Sequence, residues 1–134
     1  MSVGDDAKAL IARHGLAPHP EGGWYRETWR APAPSGERSA GTAILFLLEQ
    51  GQSSHWHKVD ADELWFWHAG APLALRIGGD SVTLDASSPQ ALVPVHEWQA
   101  ARAEAGWVLV SCVVVPGFDF AGFTLAPPGW EPPL

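Results

Sequence analysis

The chain has 134 residues, the length of one domain with a single core. Its formal net charge of -7 argues against nucleic acid or an anionic membrane surface as the main partner. With 46% apolar residues, the chain is expected to fold rather than to stay disordered. It has no apolar run long enough to span a bilayer and no charged-then-apolar leader, so we expect no membrane association and a cytoplasmic location.

Two further features of the composition bear on chemistry. The single cysteine, Cys112, lies in an apolar run, which predicts a buried core thiol rather than a nucleophile. One cysteine cannot form a disulfide within the chain, which fits a reducing compartment. Eight tryptophans exceed the usual share and favour aromatic-lined cavities or a subunit interface.

The elements in chain order predict one short helix followed by many short strands. Asp5 or Asp6 is expected to cap a helix over 5–14, with Gly15 as its C-terminal stop. Segments of strand character then alternate with turns rich in Gly, Pro and Asp. Outside the candidate site, we predict strands over 24–30, 41–49, 73–77, 82–84, 91–95, 98–102, 107–115 and 123–125.

No alternation of strands with helices is present, so the pattern predicts an all-β sandwich or barrel. We expect a single domain over 1–134, with the barrel over about 22–126. The proline-rich tail over 127–134 carries Trp130, which needs a docking surface if the tail is ordered.

The candidate site lies on two adjacent predicted strands in the middle of the chain. On a strand, residues two apart share a face, so His55 and His57 are expected to point the same way. After a polar turn, the same alternation puts Glu63, Trp65 and Trp67 on one face. Two imidazoles, a carboxylate and two indoles on one side suit the lining of a cavity better than an inert core.

The spacing of these residues resembles that of a known superfamily. The order Gly51, His55-x-His57, Glu63, Gly70 is similar to the first signature of the cupin barrels, with one extra residue before the acid. Three further strings resemble one branch, the cupin_5 family (DUF985): Pro-His-Pro-Glu-Gly-Gly-Trp-Tyr-Arg-Glu at 18–27, Val-Pro through Trp-Gln at 93–99, and Val-Pro-Gly-Phe-Asp-Phe at 115–120. The resemblance runs from about 10 to 125. It implies a double-stranded β-helix, a jelly-roll barrel with one open mouth, and a homodimer.

The resemblance also implies a candidate metal site. Metal-binding cupins surround a divalent ion with two histidines, a glutamate and a later histidine, and Gln99 stands at the later position here. The candidate ligands are therefore His55, His57, Glu63 and Gln99, which suit a hard or borderline divalent ion. The protein would then be a metal-dependent enzyme, such as an oxygenase or an isomerase.

A second hypothesis is a pocket without a metal. His57 and Glu63 are then the candidate catalytic residues, facing each other so that each changes the other's proton affinity. Aromatic walls with a few convergent polar groups suit a small ring such as a sugar or a heterocycle. The further candidates for ligand binding are Ser54, Trp65, Trp67, Gln90, Gln99, Phe118, Asp119 and Phe120.

Two more interpretations stay open. Sugar-nucleotide epimerases share this barrel and use a histidine base and a tyrosine acid, but the one tyrosine, Tyr25, is far in sequence from the pocket motifs. Arg26, Arg30 and Arg38 are the candidates for holding a diphosphate, and we interpret them as surface charge. In a purely structural barrel, as in storage proteins, His57 and Glu63 would form a satisfied buried pair. The pattern does not decide whether the protein is an enzyme.

Overall fold

A computed structural model describes residues 3–133 of the chain, with side chains from residue 6 onward. The helix α1 spans Val3–His14, so Asp5 and Asp6 lie within it and the prediction that one of them caps it is wrong. The helix ends where predicted, because Gly15 follows it in the left-handed conformation with φ of +62°. Among the described residues, no helical segment has both the length and the apolar composition needed to span a bilayer.

Apart from a short 3-10 helix, all other regular structure in the described chain is β. The strands are β1 (Ala17–Pro18), β2 (Trp24–Arg30), β3 (Thr42–Leu48), β4 (Ser53–Val59), β5 (Asp62–Gly70), β6 (Leu73–Ile77), β7 (Asp80–Leu84), β8 (Gln90–Val93), β9 (Gln99–Arg102), β10 (Val108–Val115) and β11 (Phe123–Leu125). The predicted strands match these within a residue or two at most ends. After β10 the chain forms an irregular loop and then a short 3-10 helix at Phe120–Gly122.

The strands form two antiparallel sheets, which confirms the all-β prediction. One sheet has the order β1-β2-β3-β10-β5-β8, and the other has the order β11-β4-β9-β6-β7. The helix α1 packs on the outer face of the first sheet, where Leu47 and Leu109 are buried against Ala7. The inner faces of both sheets enclose the main core.

The apolar core fills one end of the space between the sheets, and a cavity occupies the other end. The residues on the inner face of β3 show this division. Phe46 and Leu48 point inward and are buried in the core, together with side chains of the opposite sheet such as Leu75. Thr42 and Ile44 lie on the same face of β3 but line the cavity instead. Each fully buried leucine or phenylalanine contributes about 1.5–3 kcal/mol, so the filled end stabilises a barrel whose other end stays open.

The proline-rich tail docks on the outside of the second sheet. The ring of Trp130 lies 4.5 Å from that of Trp98 and 6.5 Å from that of Trp56, measured between centroids. The ammonium of Lys58 lies 4.8 Å from the centroid of Trp98 on the same surface. Three of the eight tryptophans therefore serve to hold the tail and do not line the cavity.

Candidate functional site

A cavity of about 700 Å³ opens between the two sheets beyond the apolar core. Its floor is polar and carries His19, Glu21, His57 and Glu63. His19, His57 and Glu63 are buried, and the side chain of Glu21 is only 9% exposed. The first two residues belong to the loop between β1 and β2, and the other two to different strands. Four ionisable side chains in a low-dielectric space are costly to bury, so their mutual contacts determine which of them carry protons.

The histidine of the floor is His57, and a β-bulge separates it from His55. Between Ser54 and His57, β4 advances by three residues while its partner β9 advances by two. The extra residue breaks the alternation, so the prediction that the two histidines point the same way is wrong. The imidazole of His55 instead donates from Nε2 to the carbonyl oxygen of Pro127 in the tail, at 2.9 Å.

The acid of the floor is Glu63, and hydrogen bonds that begin at a core residue fix the orientation of its side chain. The indole Nε1 of Trp65 donates to the side-chain oxygen of Gln99 at 2.9 Å. That contact turns the amide nitrogen of Gln99 toward Glu63, to whose Oε1 it donates at 3.0 Å. The thiol of Cys112 is buried, as predicted, and the residue lines the cavity beside Glu63.

The loop between β1 and β2 brings a second carboxyl, that of Glu21, to the same floor. Its Oε1 lies 3.3 Å from Nδ1 of His19, and its Oε2 lies 3.6 Å from Nε2 of His57. The hydroxyl of Ser54 donates to the same Oε2. The floor therefore has two carboxyls, Glu21 and Glu63, near one imidazole.

Burial dominates the proton affinities of these groups. It raises the pKa of Glu21 to about 8, although the hydrogen bond from Ser54 opposes the rise. Burial also raises the pKa of Glu63 to about 7, and the nearby His57 opposes that rise. For the imidazoles the direction is reversed, because burial lowers the pKa of His19 to about 4 and lowers that of His57. At neutral pH the floor is therefore poised to lose or gain protons.

The walls near the mouth are aromatic. Phe118 and Phe120 pack edge to face with centroids 4.8 Å apart, and Phe123 lies 5.6 Å from the ring of His57. Asp119 accepts a hydrogen bond from the backbone of Ala121 at 3.0 Å and begins the short 3-10 helix. Three rings beside a polar floor provide flat apolar surfaces for a ring-shaped ligand.

Three arginines line the mouth: Arg26, Arg30 and Arg38. Arg30 donates to the carbonyl oxygen of Phe118 at 3.1 Å, and Arg38 donates to that of Gly117 at 2.7 Å. Arg38 also forms two hydrogen bonds with the carboxylate of Asp60, at 2.7 and 3.0 Å. These two arginines hold the aromatic loop in place, so they are more than the surface charge that the sequence suggested.

The structure brings some of the predicted site residues together and separates others. Those that line the cavity are His57, Glu63, Phe118, Asp119 and Phe120. Ser54 and Gln99 are buried directly behind the floor, each bonded to one of its carboxyls. Trp65 packs in the core, Trp67 donates to a backbone carbonyl of the following turn, and Gln90 is exposed on β8. The prediction that the two indoles form the cavity walls therefore does not hold.

The four candidate metal ligands do not fit a common site. His55 binds the tail, and the side-chain oxygen of Gln99 already accepts from Trp65, so the Gln99 amide presents its NH₂ group to Glu63. An amide nitrogen that carries two hydrogens is not a metal ligand. Within the described range, no group of three or more His, Cys, Asp or Glu side chains is arranged to hold a metal.

The sequence did not predict the roles of His19, Glu21 and Tyr25, all of which line the cavity. The ring of Tyr25 lies 4.5 Å from that of His19, which places the only tyrosine of the chain at the pocket. The available signal was the string His-Pro-Glu-Gly-Gly at 19–23, where two glycines permit a tight turn beside an acid. Nothing in the sequence indicated that this turn enters the barrel.

Two antiparallel sheets that close around a cavity at one end are the double-stranded β-helix of the cupin superfamily. The chain belongs to one family of that superfamily, Cupin_5 (DUF985), which matches residues 8–126. Fold and family are therefore as the sequence motifs indicated.

Similar solved structures agree with this assignment. A protein from Shewanella oneidensis is 37% identical, with a TM-score of 0.78, over 90% of this chain and 84% of its own. A hypothetical protein from Leishmania major is 31% identical, with a TM-score of 0.79, over 90% of this chain and 86% of its own. KdgF from Halomonas sp. has a TM-score of 0.65 over 82% of this chain and 94% of its own, but at 16% identity it shows the fold alone. No curated protein matches the chain significantly.

Proposed function

We propose that this cupin binds a small ring-shaped molecule, sugar-like or heterocyclic, in the cavity and catalyses an isomerase-like proton transfer on it without a metal. The observation that carries the proposal is the position of His57 and Glu63 on the floor of a cavity with aromatic walls. A buried imidazole and a buried carboxyl are the groups that general acid–base catalysis requires. The flat rings of Phe118, Phe120 and Phe123 supply apolar contacts for the faces of a ring.

The position of Tyr25 is compatible with an isomerase-like reaction. Tyr25 and His57 both line the cavity, so a phenol and an imidazole contact the same space. The two residues come from different strands, β4 and β2, so they approach a ligand from different walls.

A thermal-shift screen with sugars, sugar acids and nitrogen heterocycles tests ligand binding. Hits should raise the melting temperature of the wild type and should lose that effect in Phe120→Ala. Phe120 is half-exposed, so its truncation removes part of the wall with little effect on folding. Leu92→Ala is the matched control, because Leu92 is equally exposed but lies outside the cavity. A library without any hit, or hits unaffected by Phe120→Ala, would count against the proposal.

Two alternative functions predict different experimental results. A stoichiometric divalent ion in the purified protein, lost in His57→Ala, would favour a metal-dependent enzyme, and elemental analysis measures it. A purely structural barrel predicts that His57→Ala and Glu63→Ala raise the stability without changing any binding. The cost of burying two ionisable groups makes the second alternative the less favourable one.

We also propose that the protein is a homodimer. Only the first two residues of β2, Trp24 and Tyr25, pair with β1, so the outer edge of 26–30 is available to a second copy. The half-exposed Trp29 lies on this segment. Analytical ultracentrifugation should give twice the chain mass of 14.4 kDa, and a single-chain mass would contradict the proposal. The cytoplasmic location stays a prediction.

A further inference from the structure

Glu21 is held at the floor by its backbone as well as by its side chain. The carbonyl oxygen of Glu21 accepts from the backbone N–H of His55 at 2.7 Å, which ties the loop to the bulge of β4. Gly22 follows with φ of +105°, and a Cβ atom there would collide with the carbonyl oxygen of Ser53. The loop can approach β4 this closely only because residue 22 is glycine. The carboxyl of Glu21 is therefore delivered to a fixed position.

The hydrogen bonds of His19 determine what its Nδ1 can do. This nitrogen accepts the backbone N–H of Glu21 at 3.1 Å, so it bears a lone pair. The same lone pair faces Oε1 of Glu21 at 3.3 Å. An ionised carboxylate oxygen at that distance repels the electron-rich nitrogen, and protonation of the carboxyl relieves the repulsion.

The hydrogen bonds of His57 lead to the same conclusion from the other side. Its Nδ1 lies 2.8 Å from the carbonyl oxygen of His55, which only accepts, so Nδ1 carries the hydrogen. In the neutral ring, Nε2 then has a lone pair directed at Oε2 of Glu21, 3.6 Å away. An ionised Glu21 beside a neutral His57 would leave lone pairs facing each other at both of its oxygens.

We propose that Glu21 is a catalytic residue of the cavity, the neutral acid that donates a proton to the ligand, while Nε2 of His57 is the base. This inference rests on the proposed function. The titratable groups that face Glu21 are His19 of the same loop, His57 of β4 and Glu63 of β5. Burial favours the neutral form of all of them, in line with the raised pKa of Glu21 and the lowered pKa of both histidines.

Such a step needs no other reactant, because the ligand loses one proton and gains one. Nε2 of His57 takes a proton as a C–H or O–H bond of the ligand breaks. The O–H bond of Glu21 breaks as its proton forms a new bond at another atom of the ligand, so the ligand is isomerised with no change in composition. An imidazolium and a carboxylate then remain 3.6 Å apart, and return of the proton from Nε2 to Glu21 restores the starting state.

The test is a carbon-13 NMR titration of the wild-type protein labelled at its glutamate side-chain carboxyls. The Glu21 resonance is identified by its absence in Glu21→Gln, or by correlation to its own backbone if that variant does not fold. We expect the Glu21 resonance to show the neutral acid at pH 7 and to titrate near pH 8. Glu37, which is exposed, carries the same label and serves as the internal reference for the carboxyl chemical shifts.

A Glu21 resonance that is ionised at pH 7 would overturn the inference. Nitrogen-15 spectra give a second check, because His57 should carry its hydrogen on Nδ1 at pH 7, and a doubly protonated His57 would also overturn it. Neither measurement uses a ligand. An ionised Glu21 with ligand binding intact would remove only this inference, whereas a neutral Glu21 in a cavity that binds nothing would remove the proposed function.

Discussion

The indole of Trp65 donates to the side-chain oxygen of Gln99 at 2.9 Å, and this contact joins the apolar core to the floor of the cavity. Because the oxygen of the Gln99 amide is turned toward Trp65, the amide nitrogen must face Glu63. A residue of the core thus fixes a residue of the site without lining the cavity.

Trp65→Phe should therefore lower the free energy of unfolding. The change removes the only donor group of the indole and leaves the oxygen of Gln99 buried without a partner, which costs about 1–3 kcal/mol. Urea denaturation monitored by circular dichroism measures the loss. Trp29→Phe is the control, because Trp29 is half-exposed and its replacement should change the stability by less than about 0.5 kcal/mol. Equal effects of the two variants would contradict the assigned role of Trp65.

The close approach of Gly22 to β4 gives a second prediction. Gly22→Ala should be more destabilising than Gly36→Ala, although both glycines have positive φ, of +105° and +81°. A Cβ atom at residue 22 would meet the backbone of Ser53, whereas nothing lies within 4 Å of one at residue 36. We expect a difference of about 1–3 kcal/mol in the free energy of unfolding. Similar losses in both variants would mean that the loop is not pinned against β4.

The sequence was sufficient for the fold but for only part of the site. The strand alternation and the family motifs led to the two sheets, to His57 and Glu63, and to the aromatic loop at 118–120. Alternation failed at His55, because a bulge inserts one residue and no local signal marks it. It also did not distinguish Trp65 from Glu63, which share a face of β5 but meet the core and the cavity respectively.

The position of Glu21 in the cavity could not be predicted from the sequence, for a different reason. Its position depends on backbone contacts between residues far apart in the chain, such as the hydrogen bond from His55 to the Glu21 carbonyl. Short-range patterns such as periodicity and turn residues carry no information about which wall of a barrel a loop enters.

The stability of the protein should depend on pH through the buried carboxyls. The pKa of Glu21 rises from 4.5 to about 8 and that of Glu63 from 4.5 to about 7, so the folded state holds more protons than the unfolded state in this interval. The free energy of unfolding should then fall as the pH rises through it. His19 acts oppositely, since its pKa drops from 6.5 to about 4 and its contribution is lost as the pH falls through that range.

The interval from about pH 7.5 to 8.5 isolates the carboxyls, because it lies about a unit or more above the ordinary histidine pKa of 6.5, so His19 and His57 are mostly neutral there in both states. Urea denaturation at a series of pH values should show a declining free energy of unfolding across it. Glu21→Gln should remove much of the decline, and Glu37→Gln, at an exposed position, should keep it. A wild-type stability that rises between these pH values would contradict the raised pKa of both carboxyls.

The aromatic loop should loosen when Arg38 is replaced. In Arg38→Gln the hydrogen bonds to Gly117 and Asp60 are lost, so backbone amides over 117–122 should exchange faster in hydrogen–deuterium exchange. The loss of global stability should stay below about 1 kcal/mol, because the ion pair is partly exposed. Arg102→Gln, whose ion pair is more exposed, should leave this loop unchanged. Unaltered exchange in Arg38→Gln would show that the loop is held by other contacts.

Isothermal titration calorimetry tests the central claim most directly. The ligand is the strongest hit of the thermal-shift screen, titrated at pH 7 into the wild type, His57→Gln and His68→Gln. His68 is the matched control because it lies on the same barrel but contacts Ser111 outside the cavity. We expect His57→Gln to weaken binding at least tenfold, about 1.4 kcal/mol, and His68→Gln to leave it unchanged. Equal affinity in all three proteins would contradict a ligand site centred on His57.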